Sequence, residues 1–214
     1  MKKHKRSRKR RPKRKLSKIT LILLTILGIV LLGDIIGAVM YLRQSPEVQA
    51  NLMQYMATGN ALSFFQIFWR QFLYQLTIWM MGVTIIGNIV NLFLIFARGV
   101  SAGFNLAILV REVEGSIGTG TIFLWLIQYI LILFTTILSV YFSVRFAYLM
   151  TKSLVMKKYK LIKKYFKLYA TQFVVIIMLT IFTSMLSAVT TPMIQSRMIE
   201  GVITNIGGRS PLDF

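Results

Sequence analysis

Residues 99–113 read GVSAGFNLAILVREV, and whether they cross a bilayer decides the parity of the whole chain. Fifteen residues of helix reach only ~22 Å at 1.5 Å per residue. A typical hydrocarbon core is ~30 Å thick. Four longer apolar runs surround this stretch: Ile19–Leu42, Phe72–Ala97, Thr121–Met150 and Leu168–Thr190. With 99–113 counted as a crossing there are five spans. As a re-entrant loop it leaves four, and both chain ends fall on one side.

The basic residues decide between these. Residues 1–18 (MKKHKRSRKRRPKRKLSK) hold twelve Lys/Arg and no acid, and residues 152–167 hold seven more lysines. Lys/Arg enrichment in short loops marks the cytoplasmic side of a membrane protein. Five crossings put both clusters, with Arg98, on one face and Glu47, Glu112, Glu114, Glu200 and Asp213 on the other. Four crossings send the second cluster outward. The reading is therefore an all-α polytopic protein with five transmembrane helices, the third short. The N-terminus is cytoplasmic and the C-terminus extracytoplasmic. The expected divisions are a basic tail over 1–18, a membrane domain over 19–192 and an outward tail over 193–214.

Composition agrees with this class. The chain is 56% hydrophobic and 15% charged, against about 25% charged in average soluble proteins. Its net charge of +20 is concentrated, since 19 of the 26 basic residues lie in the two clusters. A nucleic-acid binder needs a folded basic surface beside its tail, so no nucleic-acid partner is expected; the lipid bilayer is. The first apolar run is too long for a signal-peptide core and is read as retained.

Between the first two spans, residues 43–70 mix polar breaks with Phe64, Phe65, Phe68 and Trp69, and suggest short interfacial helices. Aromatic residues favour the headgroup level. Residues 152–167 (KSLVMKKYKLIKKYFK) place Leu154, Val155, Leu161, Ile162, Tyr165 and Phe166 at helical spacing against the lysines. They read as an amphipathic cytoplasmic helix that anchors to anionic lipid. Pro192 is expected to end the last span.

Small residues four apart let helices approach closely in lipid. Gly33 and Gly37, and Gly99 and Gly103, have that spacing; Gly82 and Gly87 are further packing candidates. Asp34 lies inside the first span, where a carboxylate is costly and a functional candidate by default. Arg70 and Arg111 are its expected partners. Asn88 and Asn91, with Gln75, Asn105 and Gln128, are polar groups of the spans; interhelical hydrogen bonding is the plainer reading of them. Arg145 is placed to snorkel.

Catalysis finds little support. There is no cysteine, and the single histidine, His4, lies in the tail. No base is available to activate a serine, and no phosphate loop or zinc-binding helix motif occurs. The chain is read as a non-enzyme without a cofactor or metal.

Trp79-x2-Gly82-x4-Gly87, followed by Phe96-x-Arg98-Gly99-x3-Gly103-Phe104, resembles the stage II sporulation protein M family. Ser187-Ala188-x3-Pro192 fits as well, and the resemblance covers about residues 64–194. Ile127 and Phe134 stand where the family often has prolines, and Ser187 where a glutamate often precedes the alanine. The resemblance implies a membrane scaffold that recruits and activates two cell-wall hydrolases, the stage II sporulation proteins D and P. These remodel septal peptidoglycan during forespore engulfment. The competing expectation is a small-solute channel or transporter, with Asp34, Asn88 and Asn91 along its path.

Overall fold

The computed structural model describes residues 18–58, 62–113, 119–157 and 159–207. Residues 1–17, most of the basic tail, and 208–214, the end of the outward tail, lie outside the described residues. The described chain is all helical: α1 (Lys18–Leu42), α2 (Pro46–Thr58), α3 (Phe64–Met81), α4 (Ile85–Val113), α5 (Thr119–Val155) and α6 (Tyr159–Gly207). Four of these are long and apolar enough to cross a membrane, with candidate segments Thr20–Leu42, Ile85–Arg111, Phe123–Val155 and Lys160–Ser196. The chain is a multi-pass membrane protein.

Interhelical contacts fix the helix directions. α1 and α4 run parallel, because Gly33 faces Phe96–Val100 and Gly37 faces Val100–Phe104. α3 runs against α4: Tyr74 Oη donates to the Leu94 carbonyl at 2.9 Å, and Asn91 Nδ2 to the Ile78 carbonyl at 3.0 Å. α5 also opposes α4, and α6 opposes α5, with Gln128 beside Ser187 and Phe146 stacked on Tyr169. Thus α1, α4 and α6 point one way, α3 and α5 the other.

The core is thin, as expected where lipid replaces water. Ile26, Val30, Ile78, Ile95 and Val140 form one buried cluster, and Tyr41, Ile108, Leu109 and Ile194 another. Large apolar side chains remain outward, among them Leu32, Ile35, Ile86 and Phe93. An exposed apolar surface of this extent marks a membrane interface.

Several expected boundaries are corrected. No helix spans Phe72–Ala97, and 99–113 is not a separate short helix. The chain turns at 82–84 instead, and 99–113 forms the second half of the 29-residue α4. Backbone bonding makes that turn. Gly82 N–H donates to the Ile78 and Trp79 carbonyls at 3.0 and 3.2 Å, and Thr84 Oγ1 accepts from Gly87 N–H at 2.9 Å. Thr84 thus satisfies one orphan donor of the new helix, as an N-cap does.

Upstream, residues 64–70 are the first turns of α3, not a separate interfacial helix. Ser63 caps them with Gln66 in a reciprocal capping box. At the other end, residues 152–167 form no independent amphipathic helix. α5 runs through Val155, and Lys157 turns the chain with φ 54°. The lysines from Lys160 onward ride on the start of α6. Pro192 lies inside α6, which continues to Gly207. Proline is tolerated in long membrane helices because neighbouring groups satisfy the freed backbone.

Candidate functional site

The crossing of α1 and α4 sets the site's geometry. Gly33 and Gly37 of α1 pack directly on Gly99 and Gly103 of α4. A Cβ on Gly33 would lie 2.5 Å from the Phe96 carbonyl oxygen, and one on Gly99 would lie 2.5 Å from that of Val30. A Cβ on Gly37 would meet the Val100 carbonyl, and one on Gly103 that of Asp34. Phe104 meets Tyr41 edge-to-face at 5.4 Å just beyond the crossing. The two glycine pairs are one interface within the chain.

That crossing carries Asp34 and Arg98 into the same layer. Asp34 lies eight residues before the end of α1. Tyr129 of α5 donates its hydroxyl to both carboxylate oxygens, each at 2.8 Å. Neither Arg70 nor Arg111 pairs with it. The Arg98 guanidinium lies 4.5 Å from the Tyr74 ring centroid, a cation–π contact that strengthens with desolvation. Arg98 and Tyr129 also line one cavity between α4 and α5. Arg98 was expected at a helix end on the lysine-rich face. It stands instead near the middle of α4, 13 residues after Ile85 and 15 before Val113.

Two cavities flank Arg98. One, of about 360 Å³, lies between α3 and α4 and is lined by Arg70, Gln71, Tyr74, Leu94, Arg98 and Ser101. The other, of about 240 Å³, lies between α4 and α5 and includes Asn105, Trp125, Gln128 and Tyr129. Behind them, Gln128 Nε2 donates to Ser187 Oγ at 2.8 Å, and Thr190 donates to Gln128 Oε1. Thr183 Oγ1 donates to Gln71 Oε1 at 3.0 Å. One half of the bundle is therefore polar inside.

Asn88 and Asn91 belong to a different network, near the 82–84 turn. Asn91 Nδ2 donates to the Ile78 carbonyl and, at 2.8 Å, to Ser143 Oγ; Ser143 donates in turn to Asn88 Oδ1 at 2.8 Å. Tyr169 Oη donates to the Trp79 carbonyl at 2.9 Å, and its ring stacks on Trp79. These bonds give the Ile78 and Trp79 carbonyls a second donor besides Gly82 N–H. Gly82 is buried here because a Cβ would meet Ser143 Oγ and Tyr169 Oη, while one on Gly87 would meet the Met81 carbonyl. Asp34 thus pairs with Tyr129, while the two asparagines pair with Ser143 and the end of α3.

Tyr74, Tyr129 and Ser143 were not singled out by sequence. Their signal is weak, because a hydroxyl in a span looks the same whether it bonds its own helix or a neighbour. Among the described residues no group of three His, Asp or Glu side chains comes together.

The motif residues thus occupy one frame: Trp79 and Gly82 end α3, Gly87 begins α4, and Phe96 through Phe104 form its crossing with α1. The family model for stage II sporulation protein M matches residues 18–205. The chain belongs to this family. No curated protein and no solved structure shows a match to it. The matched range takes in all five long helices and α2. The architecture seen here is therefore that of a sporulation membrane-protein family.

Proposed function

We propose that this family member is a membrane scaffold with five crossings, which recruits and activates cell-wall hydrolases on the extracytoplasmic side during engulfment. Its partners in this reading are the stage II sporulation proteins D and P. α3 supplies the fifth crossing: its 18 residues span ~27 Å at 1.5 Å per residue. With alternating directions, the α5–α6 turn then shares a side with the basic tail. The positive-inside tendency makes that side cytoplasmic.

The observation that carries the scaffold reading is α2. Gln49 anchors it to the end of α1 by donating to the Tyr41 and Gln44 carbonyls at 3.1 and 3.0 Å. It packs against α6. Outside that contact, Val48 and Tyr55 share one side of the helix, at 40% and 76% exposure. An aromatic side chain held outward on a short helix suits a protein partner, since aromatic residues dominate interface energetics.

The transporter reading rested on Asp34, Asn88 and Asn91 lining one path, and their separate networks remove that support. Capture of each hydrolase by the purified protein tests the scaffold reading. Val48→Asp with Tyr55→Ala should weaken capture about tenfold or more, while Asp34→Asn should leave it near wild type. The reverse pattern, in correctly inserted proteins, contradicts the scaffold.

A further inference from the structure

We propose that the groove between α3 and α4 binds the phosphate headgroup of an anionic phospholipid through Arg70 and Arg98. The inference does not depend on the scaffold reading. An arginine in a span is ordinarily paired or faces a watery cavity. Arg98 has Tyr74 and Tyr129 as neighbours, but no carboxylate pairs with it among the described residues. Asp34 is already bonded by Tyr129. The groove of about 360 Å³ brings a second arginine, Arg70, to the same space, together with the Ser101 hydroxyl and the Gln71 amide. Two guanidinium groups beside the Gln71 amide form an anion site, for the Ser101 hydroxyl already donates to the Ala97 carbonyl at 3.2 Å; arginine recognises phosphate oxygens in a fork.

The surroundings select a lipid over a soluble anion. Phe64, Phe65, Phe68, Trp69 and Phe72 stack in succession along the first turns of α3. Trp favours the headgroup level, and the neighbouring Arg70, six residues into α3, has a side chain long enough to snorkel toward it. Arg98 lies one turn deeper, against Tyr74. Below the groove, α4 turns an apolar stripe outward, with Ile86 77%, Ile89 66% and Phe93 70% exposed, leading up to Ala97 in the groove wall. An acyl chain can follow that stripe while its phosphate rests between the arginines.

Retention of labelled lipid by the purified full-length protein in detergent tests this. The measurement is made in about 0.5 M salt, which screens loose attraction to the basic tail. Wild type should retain phosphatidylglycerol in preference to phosphatidylcholine. Arg98→Gln and Arg70→Gln should each weaken retention about tenfold, the scale of one charge-assisted hydrogen bond. Arg70 is exposed and forms no ion pair among the described residues, so its variant keeps the test valid if Arg98→Gln fails to fold. Undiminished retention by Arg70→Gln would overturn the proposal, as would equal retention of the two lipids. Displacement of the label by millimolar inorganic phosphate would overturn the lipid assignment in favour of a free anion.

Discussion

The Tyr129 hydroxyl holds the Asp34 carboxylate and so links α5 to α1. In lipid no water can replace its hydrogen bond to Asp34. Leaving a buried acceptor unpaired costs roughly 1–3 kcal/mol. Tyr129→Phe should therefore lower unfolding stability in micelles by about that amount. Asp34→Asn in the same background should cost less than it does alone, because the two residues share one bond. Additive losses would mean that the bond contributes nothing. Arg98 also explains an expectation that failed. A charge after an apolar run reads as the end of a span, and here the span continues. Tyr74 covers the guanidinium face, which sequence spacing could not reveal because Tyr74 comes from another helix, 24 residues earlier.

The α1–α4 crossing dominates at the scale of elements. Its four glycines let two backbones touch, and dispersion there replaces the hydrophobic drive that lipid lacks. Gly103→Leu and Gly37→Leu should abolish accumulation of folded protein, since each side chain would enter a facing carbonyl. Gly28 of α1 is the control, for a Cβ there meets nothing within 4 Å. Gly28→Ala should be neutral or stabilising by up to about 1 kcal/mol, because alanine is the better helix former. Loss of protein in Gly28→Ala, or normal levels in Gly103→Leu, would contradict this packing.

Both glycine pairs were legible as packing motifs; that they face each other was not, because spacing along one helix does not name its partner. The break at 82–84 was hidden for another reason. Its flanks, Ile78–Met81 and Ile85–Ile86, are as apolar as a continuous span. The signals were Gly82 and Thr84, and Gly82 also reads as a packing glycine. Thr84→Val should cost about 1 kcal/mol through the lost cap, measured by the same unfolding assay. An unchanged midpoint would mean that Thr84 does not hold the turn.

Across the whole molecule, charge and helix direction point the same way. Five helices alternate in direction, with the lysine-bearing α5–α6 turn on the side where α1 begins. A reporter active only outside the cytoplasm should work when fused after Phe214 and stay silent when inserted at Lys157; activity at Lys157 would invert the topology. The lysine clusters were legible in sequence as the basis of a parity argument, whereas the helix boundaries at 82–84 and 155–159 were not. The proposed role, holding partners at an outer face, belongs to this scale. Affinity capture of the tagged full-length chain from sporulating cells, in mild detergent, tests it most directly. The account predicts that the stage II sporulation proteins D and P both co-purify with it, and that both are lost when Val48 and Tyr55 are replaced. Recovery of neither hydrolase with a correctly inserted wild-type chain would contradict it.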